Sequence, residues 1–455
     1  MQYCGLKKVL IICKKSIKPQ WVSEINKFTN INKKMSVEYT SDKKSKRQQL
    51  YEKLLKEDRF ILVCNYDICI NDLDYLLKMN FQLVVIDEVH ILRNRNGKKN
   101  KTITKICSKA SSVIFLTGTP IQNKPEDLYG IIKIADSKFF GKWEDYKKAY
   151  IKYDKNSRYE KPVGIKNISK LKQKIQPYYI RRTVDEVGMQ MPAVVEKKIV
   201  IQKDSLQIKI LNVIEQEKRK VQNRLDAMYS KRNAPGFIDK YKALEGTLKG
   251  LISHEQVVAD DPRIFLMSKS QSVINKYGIL VPKNYKGSSK TEALLELVED
   301  IVSAGEKVII FSKFSRAVRL IKTSIENKYS IKVNIVTGGA SMSDDEKNKQ
   351  IEEFKFSNDV NVLVATNTLA EGVNLQQARH QINYDQPDSD AIKKQMAGRV
   401  RRVGSKYNNV YTYDFITEGS KDEERYENIH KTSTLASSIV GIDEEQKRIL
   451  KQLSN

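Results

Sequence analysis

At 455 residues the chain exceeds one ordinary domain and suits two or three, each able to bury its own core. Lys and Arg number 81 against 55 Asp and Glu, and the net charge of +26 favours a polyanionic partner such as nucleic acid, although a mixture rich in Lys, Ile and Asn is also what an AT-rich genome produces. Five cysteines, all in the first quarter and without a Cys-x-x-Cys pair, and four scattered histidines argue against a disulfide framework or a metal centre; no apolar run approaches the roughly 18 residues of a membrane span, and the first residues lack a signal-peptide layout, so a soluble, cytosolic protein is expected.

The first apolar run, Val9 to Cys13, has the composition of a buried strand, and Pro19-Gln20-Trp21 starts an amphipathic helix through Ile25 and Phe28. A lysine-rich stretch at Lys43 to Arg47 reads as a solvated face, and a second strand follows at Phe60 to Cys64. The third, Leu83-Val84-Val85-Ile86, shows no polar alternation, as expected of a parallel strand buried on both faces, and ends on Asp87-Glu88-Val89-His90. In open α/β sheets ligands bind at the carboxyl ends of strands, so two adjacent acids there are candidates for a magnesium and nucleotide site; an ordinary acidic turn is the alternative. A fourth strand, Val113 to Leu116, runs into Thr117-Gly118-Thr119-Pro120-Ile121-Gln122-Asn123. Strands alternating with helices predict a parallel α/β sheet.

The spacing of Asp87-Glu88-Val89-His90 and Thr117-Gly118-Thr119-Pro120, with Ile12 to Trp21 before and Tyr179-Ile180-Arg181-Arg182-Thr183 after, resembles helicase superfamily two, specifically the Swi/Snf family of DNA translocases. Residues 205–280 are polar and helix-like, similar to the helical insertion between that family's lobes. Ser289-Lys290-Thr291-Glu292 then reads as a capping box, with Leu294, Leu295, Val298, Ile301 and Val302 on one helical face. Strands at Val308 to Phe311, Val333 to Val336, Val360 to Val364 and Tyr411 to Phe415 complete a second sheet. The resemblance implies two RecA-like lobes: a first over 1–202, an insertion over 203–285, a second lobe over 286–420 and a helical tail over 421–455.

Residues 365–375, Ala-Thr-Asn-Thr-Leu-Ala-Glu-Gly-Val-Asn-Leu, are similar to the family's fifth motif, which puts Gly372 and Asn374 at the nucleotide. Gln395 to Gly404 matches Gln-x-x-Gly-Arg-x-x-Arg-x-Gly, the sixth. Arg399 and Arg402 sit three apart, on one face if helical, and the resemblance makes them arginine fingers that, with Gln395, contact ATP. It further implies that Asp87 holds Mg2+, that Glu88 orients or deprotonates the attacking water, and that His90, Thr117, Gly118, Thr119, Gln122 and Gln395 couple the two activities, with His90 against the Gln122 or Gln395 region. Duplex DNA would be held at its phosphates, without sequence preference, by Lys15, Ser16, Thr119, Arg181, Arg182, Thr337, Gly338 and Thr366.

One part of the family pattern is not found. The Walker A loop, Gly-x-x-x-x-Gly-Lys-[Ser/Thr], would stand before the first residue; the nearest substitute, ending in Lys290-Thr291, has Asn284 and Ser289 where the glycines belong and no strand before it. The first lobe is therefore expected to be incomplete at its N-terminus, its Walker A strand encoded upstream or on a separate chain, with interior strands left unpaired at their edges. Three functions stay open: a DNA-stimulated ATPase that translocates on duplex DNA, a DNA-binding or regulatory remnant that has lost hydrolysis, and an RNA helicase of the same superfamily.

Overall fold

The computed structural model describes residues 5–31, 35–117, 126–153, 162–180, 191–229, 236–338, 342–370, 373–402 and 404–429. The chain divides into two compact units between residues 181 and 182. Both are built on parallel sheets flanked by helices, the α/β architecture expected from the alternation of strands and helices.

The first lobe carries β1 (Lys8–Cys13), β2 (Ser36–Tyr39), β3 (Phe60–Asn65), β4 (Leu83–Asp87) and β5 (Ser112–Leu116) in the order β2-β3-β1-β4-β5, every neighbouring pair parallel. Residues of β1 alternate between two cores. Leu10 and Ile12 face α2 (Lys44–Lys56), α3 (Tyr66–Asn71), α4 (Leu73–Lys78), α5 (Lys98–Cys107) and α6 (Asp127–Ala135), whereas Val9, Ile11 and Cys13 face α1 (Lys18–Phe28) through Trp21, Val22 and Ile25. The aromatic-rich α7 (Trp143–Tyr150), the hairpin β6 (Ile151–Tyr153) and β7 (Pro162–Ile165), and α8 (Ile168–Ile175) form a separate small core.

The expectation of unpaired interior strands is corrected. β1, β3 and β4 are each hydrogen-bonded on both sides, because β1 sits at the centre of the sheet with β3 and β4 against it. The apolar edge lies on β5, where Ile114 is 48% and Leu116 37% exposed, on the face that α1 covers only over β1, β3 and β4.

The second lobe has six strands in the order β10-β11-β9-β12-β13-β8: β8 (Ala193–Ile201), β9 (Val308–Ser312), β10 (Val333–Val336), β11 (Val362–Thr366), β12 (His380–Asn383) and β13 (Asn409–Thr417), again all parallel. Residues 193–201, placed within the expected first-lobe range of 1–202, form β8, whose nine-residue ladder with β13 groups it with the second unit. α9 (Ser205–Tyr229) and α10 (Phe237–Asp260) form an antiparallel pair, the helical insertion. α12 (Ser289–Ser303) and α13 (Ser315–Tyr329) cover one sheet face, while α14 (Asp344–Phe356) and α15 (Asp390–Val400) pack on the other, and short α11 (Gln271–Lys276) lies with the insertion. Residues 421–429 are helical.

The cap of α12 is Ser288, not Ser289. Its hydroxyl accepts the Thr291 N–H, while Thr291 Oγ1 is taken up by Asp261, so no Ser289–Glu292 box forms. Lys290 points inward, fully buried, and pairs with Asp260 at 2.8 Å and Asp422 at 2.5 Å, which disqualifies it as a phosphate-loop lysine.

Candidate nucleotide and nucleic-acid site

In the first lobe the site is built at the carboxyl ends of β1, β3, β4 and β5, which the parallel register brings to one edge. Asp87 is the last residue of β4, and Glu88 turns the chain by adopting left-handed backbone angles, φ 53° and ψ 49°. Such a conformation costs a non-glycine residue roughly 1–2 kcal/mol and persists only where its surroundings hold it. The holding groups are visible. Tyr66, buried at the start of α3, donates its hydroxyl to the Asp87 carbonyl at 2.5 Å, with the Glu88 carbonyl at 3.4 Å. On the other side Asn100 donates to the Leu92 carbonyl at 2.5 Å and the Gly130 carbonyl at 2.9 Å, pinning the 3-10 turn Val89–Leu92.

The Asp87 carboxylate accepts the Trp21 indole N–H at 3.2 Å. Burial pushes its carboxyl above the ordinary value; the Trp21 hydrogen bond opposes that shift, the Glu88 charge reinforces it, and the Lys14 cation opposes it more weakly. His90 is buried, with Nδ1 3.1 Å from Glu88 Oε2 and 3.3 Å from Thr117 Oγ1. The approach to Glu88 is an ion-pair distance without hydrogen-bond geometry, and the tautomer sets whether Nδ1 donates to or accepts from Thr117. His90 thus joins the turn after β4 to the residue after β5; its expected neighbour Gln122 lies outside the described residues. So do Gly118, Thr119, Arg181, Arg182 and Gly372.

Lys15 and Ser16 are exposed in a 3-10 turn, Lys15–Ile17, that continues into α1. Lys15 pairs with Asp42 at 2.9 Å, and buried Lys18 holds the same loop through the Thr40 carbonyl at 2.6 Å and Asp42 at 3.5 Å.

In the second lobe, Thr337, Gly338 and Thr366 come together where β10 and β11 end, the Gly338 N–H donating to Thr366 Oγ1 at 3.0 Å. Both threonines are buried, at 2% and 6% exposure, so of the three the glycine is the most accessible. Half-buried Gln395 and Arg399 lie on α15, and the Leu375 N–H donates to the Arg399 carbonyl at 3.0 Å, tying that helix to the segment holding Asn374. Asn374 Oδ1 accepts the Gln376 N–H at 3.3 Å. The expected common helical face of Arg399 and Arg402 does not form. α15 ends at Val400, Arg401 is extended, and Arg402 bends back to the Gly398 carbonyl at 3.2 Å.

Mg2+ prefers hard oxygen donors and is usually held by one or two carboxylates plus phosphates and water, so Asp87 and Glu88 fit its protein side; among the described residues no cluster of three acids, histidines or cysteines would enclose a metal by itself. The site contacts of Trp21 and Tyr66 were missed in the sequence. The available signal was position: Tyr66 directly follows β3, and Trp21 lies one helical turn after Ile17, facing the α1 side of the sheet.

A family model described as the SNF2-related domain matches residues 2–257, and one described as the helicase conserved C-terminal domain matches 289–404. The chain is 24% identical over 471 residues to the DNA repair and recombination protein RAD54B of Gallus gallus, covering 98% of this chain and 49% of that protein. It is 24% identical over 400 residues to the chromodomain-helicase-DNA-binding protein 1-like of Mus musculus, covering 87% and 40%. A solved Sulfolobus solfataricus SWI2/SNF2 ATPase core in complex with dsDNA aligns at 21% identity and a TM-score of 0.37, over 97% of this chain and 88% of that one. The chain spans about half the length, or less, of these curated relatives.

Proposed function

Because the chain belongs to the SNF2-related family of superfamily two helicases, a family of ATP-hydrolysing enzymes, we propose that it is the motor part of an ATP-dependent translocase acting on duplex DNA. The observation that carries this reading is the strained acidic turn at Asp87-Glu88, clamped by Tyr66 and joined through His90 to Thr117. Strain so specifically supported at a sheet's carboxyl edge belongs to a working site.

Bound Mg2+ supplies charge neutralisation at the phosphates. Asp87 would hold the metal, and Glu88 would orient or deprotonate the attacking water. Arg399 and Arg402 would neutralise the charge that develops on the departing phosphoryl group. Arg402 can do so after giving up only its bond to the Gly398 carbonyl. An arginine finger is worth about 10³–10⁵ in rate, so hydrolysis depends on second-lobe residues reaching the nucleotide. Lys15 and Ser16, with Arg181, Arg182, Thr119, Thr337, Gly338 and Thr366, would contact DNA at its backbone, and Gly118, Gln122, Gln395, Gly372 and Asn374 would serve the nucleotide and its coupling to DNA.

The phosphate cradle would come from a strand-loop-helix paired with β5. The open, apolar edge of β5 supports this reading: a parallel strand paired there would deliver its following loop beside Asp87 and Thr117. A second reading is a DNA-binding remnant without hydrolysis.

Phosphate release measured with and without duplex DNA separates the two. Turnover stimulated by duplex DNA and lost in Arg402→Ala supports the motor; DNA binding without turnover supports the remnant, and stimulation by single-stranded RNA alone would identify an RNA helicase instead.

A further inference from the structure

Beyond the family's functions, one set of contacts joins the exposed turn before α1 to the acidic turn. Lys15 pairs with Asp42, and the same carboxylate touches Lys18, whose ammonium is buried against the Thr40 carbonyl at the first residue of α1. The 3-10 turn Lys15–Ile17 abuts α1, which starts at Lys18, and Trp21 lies in the first turn of that helix. Trp21 then donates its indole N–H to Asp87 Oδ2. The opposite side of the acidic turn is fixed independently by Tyr66 and Asn100, so the Asp87 backbone stays in place while its carboxylate has a partner that can move with α1.

Resting on the translocase reading, we propose that Trp21 is a positioning residue that couples polyanion contact at the Lys15 turn to the orientation of the Asp87 carboxylate. A DNA phosphate at Lys15 competes with Asp42. Loss of that pair loosens the hold on Lys18, α1 shifts against the sheet, and the indole N–H moves relative to Oδ2. Side chains that orient metal ligands typically change metal affinity 10–100-fold when removed, which is the size of effect a moving donor can produce. A purely structural Trp21 would fill the space between α1 and the sheet without responding to either end.

The chain has two tryptophans, so Trp143→Phe leaves Trp21 as the sole indole emitter. In that background, a short fluorescein-labelled duplex reports DNA binding by anisotropy while Trp21 emission is read in parallel with an unlabelled duplex. The expected result is a change in Trp21 emission on DNA binding, altered free-protein emission in Asp87→Asn with loss of the DNA response, and free-protein emission in Asp42→Asn shifted toward the DNA-bound value. Trp21→Phe, which keeps an aromatic ring and lacks the N–H, should bind Mn2+ with ADP about 10–100-fold more weakly at unchanged melting temperature. Duplex binding without any change in emission overturns the coupling and leaves the translocase reading standing, as does an emission indifferent to Asp87→Asn or a Trp21→Phe midpoint equal to the parent's. Absence of duplex binding in the parent overturns the translocase reading, and the coupling with it; the Asp87→Asn emission shift still reports whether the indole contact exists.

Discussion

Thr117 holds His90, its Oγ1 3.3 Å from the imidazole Nδ1, and this contact connects the ends of two neighbouring parallel strands. Since the same nitrogen lies 3.1 Å from Glu88 Oε2, a change in the residues after β5 alters the position of a titratable ring beside the proposed base. Thr117→Val preserves side-chain shape and removes one neutral hydrogen bond, a loss of about 1 kcal/mol in stability. DNA stimulation of phosphate release should fall about 10-fold or more while Mg2+-nucleotide binding holds, in the general range of a lost positioning contact; steady-state release with and without duplex DNA is the measurement.

Glu88 itself separates folding from function. Its left-handed backbone is one that glycine adopts freely, so Glu88→Gly should raise the unfolding free energy by up to about 1 kcal/mol, whereas Glu88→Gln keeps the strain. Both should abolish hydrolysis. Urea denaturation alongside the ATPase assay checks this, and equal stabilities for the two variants would contradict the strain account.

Gly130 packs its α-carbon against the turn that carries His90. A β-carbon there would lie 2.0 Å from the Arg93 carbonyl oxygen, a backbone atom with little room to retreat. Gly130→Ala should therefore cost about 1–3 kcal/mol, as overpacking does, despite the higher helix propensity of alanine. The thermal melt should drop, and nearby Cys107, now buried, should react faster with a thiol reagent.

The second lobe's stability should depend on pH through the buried group around Lys290. Asp260 and Asp385 are both raised by burial, Asp385 from 3.8 to about 6, with the nearby Lys290 cation opposing the shift and Asp422 adding like charge. Between those two values folded Asp385 keeps a proton that the unfolded chain has lost. Its contribution is thus most favourable below the ordinary carboxylate range and declines as pH rises through about 6. Relative to Asp385→Asn, wild-type protein should lose stability from pH 4 to pH 7 in urea titrations. Lys290→Met, which strands Asp260 and Asp422 without a cation, should cost about 3–5 kcal/mol at neutral pH.

The strands that carry the site were readable because each is an unbroken apolar run buried on both faces: Val9 to Cys13, Phe60 to Cys64, Leu83 to Ile86 and Val308 to Phe311 all lie in observed strands. β8 was not. Its Glu196-Lys197-Lys198 interrupts the pattern because an edge strand needs no second covered face, and its partner β13 lies far along the chain. The shared helical face of Arg399 and Arg402 was not legible for a local reason, since the sequence motif continues through the point where α15 stops. The site contacts of Trp21 and Tyr66 were not legible because aromatic residues near strand ends usually serve the core; the hydrogen bonds that distinguish these two depend on which strands become neighbours.

The β8–β13 ladder also sets a schedule for synthesis. Ala193 pairs with Asn409, so the first strand of the second lobe leaves the ribosome 216 residues ahead of its sheet neighbour among the described residues. At typical rates of about 5–20 residues per second, that strand waits roughly 10–40 s with Val194, Val195, Ile199 and Val200 unpaired. The charged Glu196, Lys197 and Lys198 at its middle are well suited to that interval, because they discourage premature pairing with other chains until the end of the polypeptide arrives.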